Sequence, residues 1–119
     1  MSNTENEYNK LTSRIIGCCI EVHNELGPGL MESVYEECVN HVMIKSGLFV
    51  RTQIVLPVHF KGEKLNKDFV IDALVNDEVI VEYKSVEALL PVHEAQLVTY
   101  LKLANKKLGL LIVTHRFIR

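Results

Sequence analysis

Phe69-Val70-Ile71-Asp72-Ala73-Leu74-Val75, Asn76-Asp77-Glu78, Val79-Ile80-Val81-Glu82-Tyr83-Lys84-Ser85 is the stretch on which the fold turns. Two β-branched runs around a polar, turn-forming cluster predict a hairpin. Asp72, Glu82 and Lys84 interrupt otherwise apolar strands, where a charge is costly to bury unless it is paired or bound to a metal. Side chains alternate faces along a strand, so Glu82 and Lys84 share one face. The place of Asp72 depends on register. A three-residue loop over Asn76–Glu78 pairs Val75 with Val79 and sets Asp72 opposite Glu82. A two-residue loop sets Asp72 opposite Val81 and sends it to the other face. The three-residue loop is the favoured reading, because it also gathers Ile71, Ala73, Val75, Val79, Val81 and Tyr83 on one uncharged face.

Two carboxylates and an ammonium on a rigid sheet have two readings. One is a partly buried salt bridge of Lys84 with Glu82 or Asp72. The other is a site for a hard divalent cation, magnesium or manganese, which takes one or two carboxylates and keeps waters. A lysine beside such a site positions or deprotonates a water, or neutralises phosphate charge. An Asp followed by Glu-x-Lys on the next strand favours the site.

The whole chain bounds these readings. At 119 residues it has room for one domain and a core of its own. Its net charge of −2 does not suit a generally basic nucleic-acid binder, though a local basic patch is compatible with it. The charge is uneven. Through Gly47 there are seven acids and three bases, and after it eight acids and ten bases. From Lys102 onward every charged residue is basic, which suits either a phosphate contact or a solvated helix end. Cys18, Cys19 and Cys38 have no metal-ligand spacing and read as core-filling thiols of a reducing compartment. Met1–Lys10 lacks the apolar run of a signal peptide, and no segment is long enough to span a bilayer. A cytoplasmic protein with no membrane contact is expected.

In chain order, residues 1–10 read as a flexible segment and residues 11–119 as the single domain. Thr12 is placed to cap a helix ending at Leu26, with Ile15, Cys19, Val22 and Leu26 as its apolar stripe, widened by Ile16, Ile20 and His23. Gly27-Pro28-Gly29 stops it. A second helix runs from about Leu30 or Met31 to Gly47, with Met31, Val34, Tyr35, Cys38 and Val42 inward, Val39 and Met43 beside them, and Glu32 in its first turn. Phe49–Phe60 reads as a strand, with Pro57 marking an edge or bulge. Leu65–Val75 returns as the next strand. Ala88 to Pro91 leads into a third helix that ends by Lys107, with Pro91 in its first turn and Val92, Ala95, Leu97, Leu101, Leu103 and Ala104 as apolar positions. It puts Gln96 and Tyr100 on one face. Leu108–Thr114 reads as a strand buried on both faces, parallel to the one before the helix. The order predicts an α/β sandwich with a mixed sheet.

Gly29-Leu30-Met31-Glu32-Ser33-Val34-Tyr35 matches a Gly-x-x-Glu-x-x-Tyr signature. With Glu21-Val22-His23, Asp72, Glu82-Tyr83-Lys84 and Gln96 through Leu101 in order, the chain resembles the GxxExxY proteins, a branch of the PD-(D/E)XK nuclease-like superfamily. The likeness runs from about Ile15 to Ile112. It implies a restriction-endonuclease-like αβββαβ core and a nuclease that hydrolyses nucleic-acid phosphodiester bonds, with DNA favoured over RNA. It implies Asp72 and Glu82 as ligands of magnesium or manganese, with the Tyr83 carbonyl beside them, and Glu32 as the helix-borne acid that completes the site. Lys84 would act on water or phosphate, and Gln96 would stand beside the site. Tyr35 and Tyr100 are secondary candidates, and His23 and His93 are left out of the catalytic set. Where the family carries Asn-Phe-Gly after its last strand, this chain has Val113-Thr114-His115, which puts a C-terminal loop role and a homo-oligomer contact in doubt. A non-catalytic nucleic-acid or protein-binding module on the same fold is the alternative.

Overall fold

The computed structural model describes residues 2–27 and 31–114, the side chains of residues 2–4 excepted. Among the described residues three helices and four strands follow in the order α1 (Ser2–Leu26), α2 (Glu32–Lys45), β1 (Val50–Phe60), β2 (Glu63–Val75), β3 (Val79–Lys84), α3 (Pro91–Ala104) and β4 (Leu108–Val113). The strands form one sheet in the order β1-β2-β3-β4. The first two pairings are antiparallel, and β3 and β4, joined through α3, are parallel. This is the mixed α/β sheet with flanking helices expected of the restriction-endonuclease-like fold.

Leu11, Ile15, Cys18, Cys19 and Val22 of α1 and Tyr35, Val39 and Met43 of α2 pack with Ala73, Val75, Val79, Val81 and Tyr83 on one face of the sheet. Leu97 and Tyr100 of α3 pack with Leu74 and Ile80 on the other. The helices therefore form outer layers around β3, which is buried along nearly its whole length. Cys18, Cys19 and Cys38 are free thiols, two of them in this core.

Several local expectations need correction. Helix α1 starts at Ser2, not at Thr12. The Thr12 hydroxyl donates back to the Tyr8 and Asn9 carbonyls, at 3.0 and 3.1 Å, the mid-helix alternative to capping. On α2 the inward stripe is centred on Tyr35, Val39 and Met43, while Met31 and Val34 face solvent. Ile16, Ile20 and Leu26 of α1 and Val92 and Leu103 of α3 are likewise exposed, because each helix has only one sheet face to cover. Helix α3 does run from Pro91 and stop before Lys107, at Ala104, where Asn105 takes a left-handed conformation that ends it. Strand β4 is half-buried, not wholly buried, because it forms an edge of the sheet.

The turns set the registers. Gly47 (φ 96°) closes α2 in a Schellman motif, with its N–H bonded to the Ile44 carbonyl and that of Leu48 to Met43, both at 3.0 Å. Asn76 and Asp77, at φ 52° and 57°, make the turn after β2, and Val75 pairs with Val79, as the three-residue loop requires. Asn76 also holds the start of β1: its Oδ1 accepts the Phe49 N–H at 2.8 Å and its N–H donates to the Phe49 carbonyl at 2.7 Å. Pro57 sits on the edge strand, where the pairing shifts between Pro57 and His59.

The uncharged face of β2 does not run as alternation predicts. Ile71 packs with Leu74, Ile80, Leu97 and Tyr100 on the α3 side, not with Ala73. The neighbouring strand switches too, since Val50 packs on the α1–α2 side and Ile54 and Leu56 on the α3 side. Thr52 pairs with Ala73 and Ile54 with Ile71, so no residue is inserted. The exchange of faces falls between these pairs, at Gln53 (φ 50°) and Asp72.

Gly109 of β4 lies directly under Leu97 of α3. A Cβ there would stand 2.8 to 3.1 Å from three carbons of Leu97. Gly109→Ala should cost about 1–3 kcal/mol, the range for overpacking, read as a lowered urea midpoint at unchanged slope. An unchanged midpoint would contradict this packing.

Candidate active site

Antiparallel pairing of β2 with β3 proceeds through Val75↔Val79, Leu74↔Ile80 and Ala73↔Val81 and then stops. One step further Asp72 lies opposite Glu82, and their carboxylates replace the ladder. The Asp72 N–H donates to Glu82 Oε2 at 2.7 Å, and the Tyr83 N–H donates to Asp72 Oδ2 at 2.9 Å. Each acid thus ties its own strand to the backbone of the other. The pivot at Gln53 and Asp72 falls at this opening.

The end of β3 is held from three sides. Glu32, in the first turn of α2, accepts the Ser85 N–H on Oε2 at 2.7 Å. Lys84 donates from Nζ to Gln96 Oε1 of α3 at 3.1 Å. The Thr114 N–H donates to the Lys84 carbonyl at 2.8 Å. Among the described residues Lys84 belongs to no ion pair; the pairs are Arg51–Asp77, Lys64–Asp68 and Lys106–Asp77. The reading of Lys84 as half of a structural salt bridge is therefore not met. Lys106, part of the basic C-terminal stretch, is paired with Asp77 at 3.2 Å; Arg116 and Arg119 lie outside the described residues.

Carboxylates in this setting bind protons tightly. Burial, then the charge of Asp72, pushes Glu82 up to about 7, although the Asp72 N–H and Lys84 pull the other way. Asp72 is raised as well, chiefly by burial, and the Tyr83 N–H opposes the rise. Glu36, one turn beyond Glu32, is raised to about 7 by burial and by the charges of Asp72, Glu32 and Glu82. Tyr100, one turn beyond Gln96, is raised by burial and by Glu82 and Asp72. Its ring lies 5.3 Å from that of Phe69.

The structure thus gathers Asp72, Glu82, Lys84 and Gln96 at one sheet opening, with Glu32 at the strand exit and Tyr100 within reach of the carboxylate charges. Tyr35 is placed differently. Its hydroxyl donates to the Cys19 carbonyl at 2.9 Å, and its ring meets that of Tyr83 edge-on at 6.1 Å, so it braces α1 against α2 and the sheet. The His93 Nδ1 accepts the Leu90 N–H at 2.9 Å and caps α3. Glu36 is the residue that the sequence reading passed over; its position four residues after Glu32 is the signal that points to it. Gly29 and Leu30 of the signature and His115 lie outside the described residues.

The donor set suits a hard cation. Asp72 and Glu82 each commit one oxygen to a backbone N–H, and among the described residues the second oxygen of each accepts no hydrogen bond. No three His, Cys, Asp or Glu side chains among the described residues converge as a closed metal cage. Two carboxylates completed by water and a substrate phosphate form the usual magnesium pattern, and that pattern needs no such cage. Glu32, with Oε2 spent on Ser85, is not gathered into a three-carboxylate group.

The sequence profile of the PD-(D/E)XK nuclease superfamily matches residues 9–117. The chain belongs to that superfamily. No curated protein and no solved structure matches it significantly. Among the described residues, no helix is long and apolar enough to cross a membrane.

The raised carboxylates give a pH dependence of definite sign. A folded-state pKa above the unfolded value means that the folded protein holds more protons, so stability is lost as pH rises through the folded pKa. Without metal, the melting temperature should fall between about pH 5 and pH 8, the span from ordinary carboxylate values to those of Glu82 and Glu36. Glu82→Gln should flatten that fall and melt higher than wild type at pH 8. Melting curves in a chelator decide it, and an equal or steeper fall in the variant would count against a strained carboxylate pair.

Proposed function

We propose that this chain is a divalent-metal-dependent phosphodiesterase acting on nucleic acid, of the GxxExxY type within its superfamily. The observation that carries the reading is the paired Asp72 and Glu82, each with one oxygen fixed by backbone and one free, beside a lysine that neither neutralises. Nuclease superfamily membership supports the substrate class.

In this reading Asp72 and Glu82 hold magnesium or manganese, with the Tyr83 carbonyl as a further oxygen donor and Glu32 acting through water. The bound ion supplies Lewis-acid polarisation of the phosphate and a more acidic water. Lys84 is the group for the attacking water or the charge that builds on the phosphate. It stands two residues from Glu82, so the alternation of β3 sets both on one side. Gln96 accepts from the Lys84 Nζ and so aims the ammonium while leaving its other protons to donate. Glu32 fixes the strand exit by holding the Ser85 N–H, so that Lys84 cannot swing away. Tyr100 closes the α3 side of the opening.

Cleavage of duplex, single-stranded and branched DNA and of RNA, each with magnesium or manganese, tests the proposal. Asp72→Ala should abolish turnover. Lys84→Ala should lower it roughly 10²–10⁴-fold, as for loss of a proton-transfer group, and Gln96→Ala roughly 10–100-fold, as for a residue that orients another. Cleavage by Asp72→Ala at the wild-type rate would remove the site assignment, and no cleavage of any substrate by metal-loaded wild type would remove the activity.

A further inference from the structure

We propose that the outer part of the β1–β2 hairpin is an arm that binds the phosphate backbone of a nucleic acid lying across the Asp72–Glu82 opening. The proposal deepens the nuclease reading and rests on it.

The arm is an overhang. The β2–β3 register, continued, brings Ser85 opposite Phe69, and β3 ends at Lys84. Residues 63–68 of β2 therefore have only β1 beside them in the sheet, and all are exposed, as are His59 and Phe60 across from them. A two-stranded ribbon open on both faces is at most marginally stable by itself. Its tip is a tight turn at Lys61 and Gly62, with φ 52° and 82°. Since β3 runs antiparallel to β2, its last residues, Glu82 to Lys84, lead towards the root of the arm. A chain of phosphates leaving the opening in that direction meets the ribbon.

Charge separates the two regions. Glu32, Glu36, Asp72 and Glu82 surround the opening and repel a polyanion, so binding needs cations elsewhere. Residues 59–68 carry Lys61, Lys64 and Lys67 against Glu63 and Asp68, a balance of +1. The whole chain is at −2, so the remaining residues carry −3. Phe60 is 61% exposed, and the Lys61 Nζ lies 5.5 Å over its ring, a cation and an aromatic surface presented together. At roughly 3.3 Å per residue, Lys67 stands about 16 Å and Lys64 about 26 Å along the strand from Asp72. Both distances fall within one duplex turn of about 34 Å, so phosphates on the turn next to the reacting bond come within reach of the arm.

The test is binding of a short DNA duplex and of its single strand to the full chain, with calcium replacing magnesium, over about 50–200 mM salt. Replacing Lys61, Lys64 and Lys67 together by Ala should weaken binding and reduce the slope of log affinity against log salt by roughly 2–3. Glu63→Lys should steepen it by about 0.9 on duplex. The rise in melting temperature on adding magnesium should be the same in the triple variant as in wild type. Loss on the duplex alone, or on the single strand alone, would identify which form the arm holds. Wild-type affinity and slope in the triple variant would overturn the arm while leaving the nuclease reading in place. So would a change confined to self-association in sedimentation, which would make the ribbon a contact between copies. Wild type that binds neither probe would overturn both.

Discussion

The exchange of hydrogen bonds between Asp72 and Glu82 is the constraint on which the site depends. Where β2 and β3 stop pairing, two backbone N–H groups lose their ladder partners, and each is taken by the carboxylate from the opposite strand. Buried N–H groups need acceptors, and hydrogen bonds to a charged acceptor are among the stronger ones in proteins. The strands can therefore separate without orphaning their backbone, and the separation turns two carboxylates inward. The same bonds fix each acid at one oxygen and leave the other oxygen free.

This arrangement is uneasy without a cation. Burial and mutual repulsion favour the protonated form, which is why Glu82 and Glu36 are pushed up to about 7 and Asp72 is raised. Lys84 eases both acids by its charge but makes no ion pair with either, because Gln96 holds its ammonium. A pair tuned only for stability would close that contact, since a buried acid without its counter-ion is costly. Local rules broken without local compensation are expected at functional positions.

Much of this was legible in the chain. The period-two pattern of Val79–Lys84 and the turn chemistry of Asn76-Asp77 define the register, and the register brings Asp72 and Glu82 together. Gly47 and Asn105 end their helices for the backbone reasons that make such residues helix stops. The pivot was not legible. Gln53 adopts a left-handed φ that glycine or asparagine normally signals, so the change of face at Asp72 carries no mark in composition. Glu36 stands four residues after Glu32, a spacing that points to the site only once Glu32 is placed there. The overhang of the hairpin depends on the shortness of β3 relative to β2, a relation between two strands that neither shows alone. The exposed Met31, Val34 and Val92 were misread because apolar spacing gives the period of a helix but not how wide a face the sheet can cover.

The account stands on Asp72 and Glu82 acting as one cation-holding pair with elevated proton affinity. Metal binding to such a pair must expel protons near neutral pH. The direct measurement is calorimetric titration of manganese into the metal-free protein at about pH 7, close to the raised value of Glu82, in two buffers with different heats of ionisation. The account predicts a buffer-dependent heat equivalent to a fraction of a proton or more released per ion, reduced in Glu82→Gln, with no binding in Asp72→Ala. Binding with the same heat in both buffers, or undiminished binding in Asp72→Ala, would contradict it.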